Sequence, residues 1–347
     1  MTIQAVLDGL AQRKTTALAR AISMVENGTP GFEELLSSIH SKTGRARRIG
    51  LTGPPGAGKS TLTERLTGAY REAGLSVAVV AVDPSSPFTG GALLGDRIRM
   101  ERQSLDEHVF IRSMASRGSL GGMATTTGEV ADVMDAFGFD RIIIETVGVG
   151  QSELDVASAS DSTIVVLVPE SGDGIQVMKA GLMEIADLFL VNKADRPGAD
   201  RLVQELEVSI HLRAGNAFKN IKAHHGVRLE RSGDQANSRP ADRPITGWMP
   251  PVLPTSAAKG EGIAELVGAL DKHFEYLNGE GRLAERRLKQ RDVRTREVVE
   301  RAVKRWLKSD EDVEQARRDV AAGLKSPYEA AALIAARLSG SETYGRR

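Results

Sequence analysis

The stretch Gly53-Pro54-Pro55-Gly56-Ala57-Gly58-Lys59-Ser60 constrains this chain more than any other. It fits G-x-x-x-x-G-K-[ST], a spacing with a mechanical basis. Glycines let backbone N–H groups turn inward around a phosphate where a Cβ would clash. Lys59 supplies a mobile cation for the β- and γ-phosphates, and Ser60 supplies a hydroxyl for Mg²⁺. Thr61 belongs to the same phosphate-binding set, at the positive end of the helix that follows. The flanks agree with this reading. Arg48 to Thr52 reads as a buried strand, and Ser60 to Tyr70 as a helix.

Beyond the loop, strand and helix patterns alternate. Apolar strand candidates are Ile49–Thr52, Val77–Val82, Val109–Ile111, Arg141–Glu145, Thr163–Val168, Leu188–Val191 and Val252–Thr255. Short apolar runs without alternation, separated by helices, predict a mostly parallel sheet buried on both faces. The expected fold is an α/β P-loop NTPase with helical extensions at both ends. Residues 1–45 read as a helical lead-in, 46–278 as the nucleotide domain and 279–347 as a C-terminal helical arm. Ligands in such sheets sit at the carboxyl ends of the strands.

Asn192-Lys193-Ala194-Asp195 falls at one of those ends. The N-K-x-D form reads guanine. The Asp195 carboxylate can accept hydrogen bonds from the ring N–H and the exocyclic amine, donors that adenine does not offer on that edge. Asn192 can bond the opposite edge, and the Lys193 stem can cover the ring face. Further on, Thr255-Ser256-Ala257-Ala258-Lys259 matches a loop whose backbone N–H groups cap the guanine carbonyl oxygen. With the phosphate loop these motifs favour GTP and GDP over adenine nucleotides.

Ile142-Ile143-Ile144-Glu145-Thr146-Val147-Gly148 places an acid at the end of a buried strand and a glycine three residues later. Glu145 can hold Mg²⁺ directly or through water, and the Gly148 N–H can meet the γ-phosphate. Asp83 and Asp96 are two further candidates for the metal sphere, since Mg²⁺ at a phosphate site takes one or two carboxylates. The Gly-rich run between them resembles a switch loop. Lys59, Asp96, Glu145 and Gln151 are the candidate catalytic residues. In Ras-like proteins a glutamine directly after the switch glycine orients the attacking water. Here that position is Val149, and Gln151 lies two residues further on. The expectation is slow intrinsic turnover accelerated by a partner.

Composition sets the outer bounds. Among 347 residues, Lys+Arg and Asp+Glu both number 46, so no global charge calls for nucleic acid or an anionic membrane. There is no cysteine, which excludes disulfides and thiolate chemistry and points to a cytoplasmic home. No run reaches transmembrane length and the N-terminus lacks a secretory pattern. Residues 213–247 read as a polar surface excursion, and His224-His225 lacks partners at metal-ligand spacing. Arg282 to Lys308 carries eleven Lys/Arg against four Asp/Glu. Leu288, Thr295, Val299, Val303 and Trp306 fall on one face of that stretch, which suits packing on another subunit.

The run from Arg45 through Leu62 resembles the MeaB-type metallochaperone GTPases, also labelled ArgK-like or LAO/AO transport ATPases. So do Val82-Asp83-Pro84-Ser85-Ser86-Pro87, Gly95-Asp96-Arg97-Ile98-Arg99-Met100 and Glu145 through Glu153. The resemblance covers nearly the whole chain. It implies a homodimer formed through the C-terminal extension, binding of GTP and Mg²⁺, and slow hydrolysis stimulated by an adenosylcobalamin-dependent acyl-CoA mutase. Methylmalonyl-CoA mutase is the implied partner, its cofactor loading gated and its activity protected. By motif, Lys59 and Ser60 would serve phosphate and Mg²⁺, Asp83, Asp96 and Glu145 the metal environment, and Asn192 and Asp195 the base. Val168 to Lys179 matches the family's third switch. No Asp-x-His-x-x-Gly run is present, so direct cobalamin contact is not expected. Two rival readings are a nickel-insertion GTPase, disfavoured by 6 His and no Cys, and a P-loop kinase, disfavoured by the guanine-reading motif.

Overall fold

The computed structural model describes residues 2–83, 105–115, 123–146, 152–169, 182–213 and 247–338. Helices α1 (Ile3–Ala11), α2 (Thr15–Asn27) and α3 (Phe32–Ile39) lead into β1 (Arg47–Thr52) and α4 (Lys59–Glu72). Next come β2 (Val77–Asp83), β3 (Val109–Ala115), α5 (Met123–Phe137), β4 (Arg141–Thr146), α6 (Ser152–Ala159) and β5 (Ser162–Leu167). The chain continues through α7 (Leu182–Ile185), β6 (Leu188–Asn192), α8 (Ala199–Arg213), β7 (Val252–Thr255) and α9 (Ile263–Asn278). Helices α10 (Arg282–Ser309), α11 (Glu311–Ala321) and α12 (Pro327–Leu338) follow.

All seven strands expected from the apolar runs are present. They form one sheet in the order β3-β2-β4-β1-β5-β6-β7, every neighbouring pair parallel. Continuous apolar runs are needed because both faces are covered. Ile142 and Ile144 of β4 turn toward α5 and the N-terminal helices, joined there by Leu18, Ile22, Leu35 and Met134. Ile143 turns the other way, onto Leu62 and Leu66 of α4 and Leu266 of α9. A third cluster packs Val165, Leu167, Phe189 and Val191 against Leu202 and Leu206 of α8. Each fully buried Leu, Ile or Phe in these layers contributes about 1.5–3 kcal/mol relative to exposure. Leu18, Ile22 and Val25, the face read from the sequence, are all buried, so α2 is part of the core.

The described residues divide into two compact units, one running to Gln290 and the other from Arg291. In the first, the amino ends of the strands carry a polar network. Asp187, just before β6, accepts both guanidinium nitrogens of Arg286 at 2.9 and 2.8 Å and the Thr163 N–H at 2.8 Å. Buried His273 sits between the Asp187 carboxylate (3.3 Å) and the Ser162 hydroxyl (2.8 Å). Arg287 forks onto Asp161 at 2.8 and 2.7 Å, and Gln290 donates to the Ser160 carbonyl oxygen at 2.8 Å. These contacts fix the first turns of α10 to the nucleotide domain.

In the second unit, Asp310 caps α11 by accepting from the N–H groups of Asp312 and Val313. Arg337 of α12 returns to Asp310 and Asp312. Val293, Val299, Leu324 and Tyr328 leave large apolar side chains exposed there. Among the described residues, no helix is long and apolar enough to cross a membrane.

Candidate nucleotide site

The phosphate loop leaves β1 and enters α4 at Lys59. Gly53, Gly56 and Gly58 all have positive φ (137°, 73° and 88°), a region costly for side chains. Two of them are also sterically obligatory. A Cβ at Gly53 would lie 2.1 Å from the Val166 carbonyl oxygen, and one at Gly58 would lie 2.4 Å from Asn192 Nδ2. The loop is therefore seated against β5 on one side and the Asn192 amide on the other. Gly58 caps α4 without any side-chain hydrogen bond, which leaves the first N–H groups of the helix for an anion. This cradle fits the triphosphate implied by the motif.

The Lys59 side chain folds back over the loop. Its Nζ donates to the carbonyl oxygens of Gly53 at 2.8 Å and Pro54 at 3.0 Å, and the residue is 6% exposed. Those carbonyls hold the ammonium over the loop, where an incoming phosphate can exchange places with them.

Asp83 ends β2 and Glu145 falls in the last turnings of β4, its immediate neighbour; the register sets Ala81 beside Glu145 and Val82 beside Thr146. Glu145 also lies beside Leu51 of β1, two residues before the loop. With Ser60 these are hard oxygen donors on adjacent strand and helix ends, the donor chemistry that Mg²⁺ takes. Glu145 is fully buried and accepts from the Thr63 hydroxyl at 2.5 Å. That contact, invisible in the motif, ties the carboxylate to the first turns of α4. Among the described residues, no cluster of three or more His, Asp or Glu forms a protein-only metal cage. Mg²⁺ bound largely through phosphate oxygens does not require one.

The base-reading loops follow β6 and β7. Lys193 adopts φ 57°, a left-handed conformation uncommon away from glycine, and the turn it makes brings Ala194 N–H to the Thr255 carbonyl oxygen at 3.0 Å. Asp195 is thereby set beside Ser256, whose hydroxyl donates to its Oδ1 at 3.0 Å, while Lys259 Nζ lies 3.3 Å from its Oδ2. The Ser256 hydroxyl first, then its own backbone N–H and Lys259, hold the Asp195 carboxyl below the usual carboxylate range. It is ionised at neutral pH, as a reader of guanine donors must be.

Asn192 is 3% exposed and works on both sides of the site. Its Nδ2 donates to the Ala57 carbonyl oxygen of the phosphate loop at 2.7 Å, and its Oδ1 accepts the Ala257 N–H at 3.1 Å. One N–H of the amide remains for the base. Arg65 of α4, which no motif singled out, donates Nε to the Ala257 carbonyl oxygen at 3.0 Å and Nη2 to that of Ala258 at 2.9 Å. Its only sequence signal is its place six residues beyond Lys59 on the same helix.

Thus Gly53 to Ser60, Thr61, Asn192, Lys193, Asp195 and Ser256 to Ala258 gather at one end of the sheet, with Asp83 and Glu145 at the adjoining strand ends. Asp96, Gly148 and Gln151 lie outside the described residues, as do Val149, the stretch 170–181 and the region 214–246 with His224-His225.

Comparison with known proteins agrees with this geometry. A homologue from Pyrococcus abyssi is 41% identical over 346 residues, 97% of each chain. GTPase ArgK of Escherichia coli is 35% identical over 321 residues, 91% of this chain and 89% of that protein. The mitochondrial methylmalonic aciduria type A homolog of Mus musculus is 33% identical over 344 residues, 94% of this chain and 77% of that protein. A solved structure titled LAO/AO transport system kinase superposes with TM-score 0.65 at 28% identity, covering 97% of this chain and 98% of its own. Residues 18–312 match the family model described as methylmalonyl-CoA mutase-associated GTPase MeaB, and the chain belongs to that family of P-loop GTPases.

Proposed function

We propose that this GTPase works as a nucleotide-timed chaperone, binding GTP with Mg²⁺ and acting on an adenosylcobalamin-dependent acyl-CoA mutase, with methylmalonyl-CoA mutase the first candidate. The observation that carries the nucleotide half is the Asn192 bridge, which makes the phosphate loop and the base loop one hydrogen-bonded unit. The mutase half is supported by the family description and by the name of the mouse relative.

On this reading Lys59 leaves the Gly53 and Pro54 carbonyls to meet the β- and γ-phosphates, and the N–H groups at the start of α4 take the remaining charge. Asp195 accepts from guanine N1–H and the 2-amino group. Ser60, Asp83, Asp96 and Glu145 would hold Mg²⁺, whose charge neutralises the phosphate oxygens as the γ-phosphoryl group transfers to water. Val149 can neither orient nor deprotonate that water, so turnover is slow until the partner rearranges Gln151 or supplies a group of its own. The apolar side chains exposed at Val293, Val299, Leu324 and Tyr328 suit a second copy of the chain packing on the arm.

The deciding experiment is capture of partners by the protein loaded with a non-hydrolysable GTP analogue and, separately, with GDP, followed by GTP turnover with what is recovered. Nucleotide-dependent recovery of an acyl-CoA mutase that raises turnover is the expected result. No response to any such mutase would remove the partner assignment. A kinase reading, which the name of the LAO/AO transport system kinase suggests, is decided in the same assay. Label from the γ-phosphate appears in water on the chaperone reading and on protein on the kinase reading.

A further inference from the structure

From Ser256 to Glu261, in the loop after β7, every backbone N–H but that of Ala258 has an acceptor. Ser256 N–H donates to the Glu261 carbonyl oxygen at 3.1 Å, and Ala257 N–H to Asn192 Oδ1 at 3.1 Å. Lys259 N–H donates to the Ser256 carbonyl oxygen at 3.0 Å, Gly260 N–H to that of Ala257 at 3.2 Å, and Glu261 N–H to that of Ser256 at 3.1 Å. Ala258 N–H has no acceptor among the described residues, nor has Gly262 N–H at the cap of α9, and of the two only Ala258 is exposed. In a trans peptide the N–H points opposite to the carbonyl of the same unit. The carbonyl opposite Ala258 N–H is that of Ala257, which accepts Arg65 Nε at 3.0 Å, and the next carbonyl, of Ala258, accepts Arg65 Nη2 at 2.9 Å. Two donors from one planar guanidinium fix both peptide planes that flank the Ala258 α-carbon, so the orientation of Ala258 N–H is set from behind by Arg65.

We propose that Arg65 is a specificity-positioning residue that aims Ala258 N–H at the 6-oxo group of guanine. The proposal rests on the GTP reading of the site and adds the residue that holds one of its base contacts. Arg65 does not touch the nucleotide. It links the helix that starts at the phosphates to the loop that closes over the base, so the two halves of the site share one support besides Asn192. A lysine could carry the charge at this position but not the fork.

The test compares full-length wild type, Arg65→Ala and Arg65→Lys in competition against a fluorescent GDP analogue. The competitors are GDP, 6-thio-GDP (a weaker acceptor at position 6) and inosine diphosphate (no 2-amino group, the 6-oxo group intact). Wild type should prefer GDP over both analogues. Arg65→Ala should weaken GDP about tenfold, the scale of a lost charge-assisted hydrogen bond. In that variant the preference for GDP over 6-thio-GDP should shrink, while the preference for GDP over inosine diphosphate, which Asp195 supplies, stays as in wild type. Arg65→Lys should fall between the two. Equal weakening of all three nucleotides would assign Arg65 to the packing of α4 and overturn the proposal, as would unchanged affinities. A wild-type protein that ignores GDP altogether would instead overturn the nucleotide reading itself, a distinct outcome.

Discussion

Asn192 Nδ2 donates to the Ala57 carbonyl oxygen at 2.7 Å across 135 positions of sequence. The same amide takes the Ala257 N–H on its other atom, so one buried side chain joins three loops. Asn192→Ala leaves an acceptor and a donor unsatisfied in a buried place, and each such group costs roughly 1–3 kcal/mol. The variant should lose stability in urea by that order and bind GDP at least tenfold more weakly. A denaturation curve and a nucleotide titration on one preparation check both; wild-type affinity would mean that the loops hold one another without the bridge.

Gly53 is the tightest point of the phosphate loop. A methyl group there would sit 2.1 Å from the Val166 carbonyl oxygen at φ 137°, so either the loop or β5 must shift. Strain of this kind costs roughly 1–3 kcal/mol and here falls on the residues that contact phosphate. Gly53→Ala should abolish detectable GDP binding in a titration while a folded far-ultraviolet spectrum is retained. Gly28→Ala makes the control for backbone strain alone, since Gly28 at the end of α2 also has positive φ (57°) but its Cβ meets nothing within 4 Å.

Thr63→Val and Lys59→Ala should separate binding from turnover. Thr63→Val removes the hydroxyl that donates to the buried Glu145 carboxylate at 2.5 Å with almost no change of shape. If the carboxylate must be held for catalysis, single-turnover hydrolysis should fall by about ten- to a hundredfold, the worth of a hydrogen bond to a charged group, with GDP affinity little altered. Lys59→Ala should remove both. Single-turnover rates beside equilibrium titrations distinguish the two patterns.

The motif-bearing half of the site was legible because its chemistry is local. A glycine spacing, a strand with Glu145 as its penultimate residue and the N-K-x-D run each point to a role within a few residues. The strands were legible because a sheet covered on both faces requires unbroken apolar runs, and all seven lie where those runs are. Arg65 and Thr63 were not. Their partners lie 192 and 82 positions away, and a helix surface with one arginine or one threonine has no pattern that names a distant acceptor. The same holds for Asp187, His273 and Arg286, whose meeting depends on the tertiary arrangement at the amino ends of β5 and β6.

That network gives a pH prediction. Burial pushes the Asp187 carboxyl up, but hydrogen bonds from His273 and Arg286 outweigh it and leave the group below its ordinary value. A carboxylate depressed in the folded state contributes stability that is fully present above its unfolded pKa, about 3.9. That stability is lost as pH falls through the lower folded value. Asp187→Asn should therefore lower the urea midpoint at pH 7, and its curve should approach that of wild type as pH drops below about 4. Parallel curves down to pH 3 would count against Asp187 as the group responsible.

Asp195 offers the sharpest test of base identity. Its Oδ1 accepts from the Ser256 hydroxyl at 3.0 Å, and Lys259 sits near Oδ2. Guanine presents N1–H and a 2-amino group to this carboxylate, two donors to two acceptors. Xanthine keeps N1–H but replaces the amine by a 2-oxo group, which an anionic carboxylate repels. Asp195→Asn exchanges one acceptor for an amide donor. The side-chain oxygen can still take Ser256 and N1–H, while the nitrogen can now donate to the 2-oxo group. The variant should bind xanthosine diphosphate at least tenfold more tightly than GDP, reversing the wild-type order, because a site built around a hydrogen bond rejects a ligand that leaves its polar groups unpaired. Competition of both diphosphates against one fluorescent analogue reads the reversal directly. If the variant lost both nucleotides equally, Asp195 would be a support for the Ser256 loop and not the reader of the base.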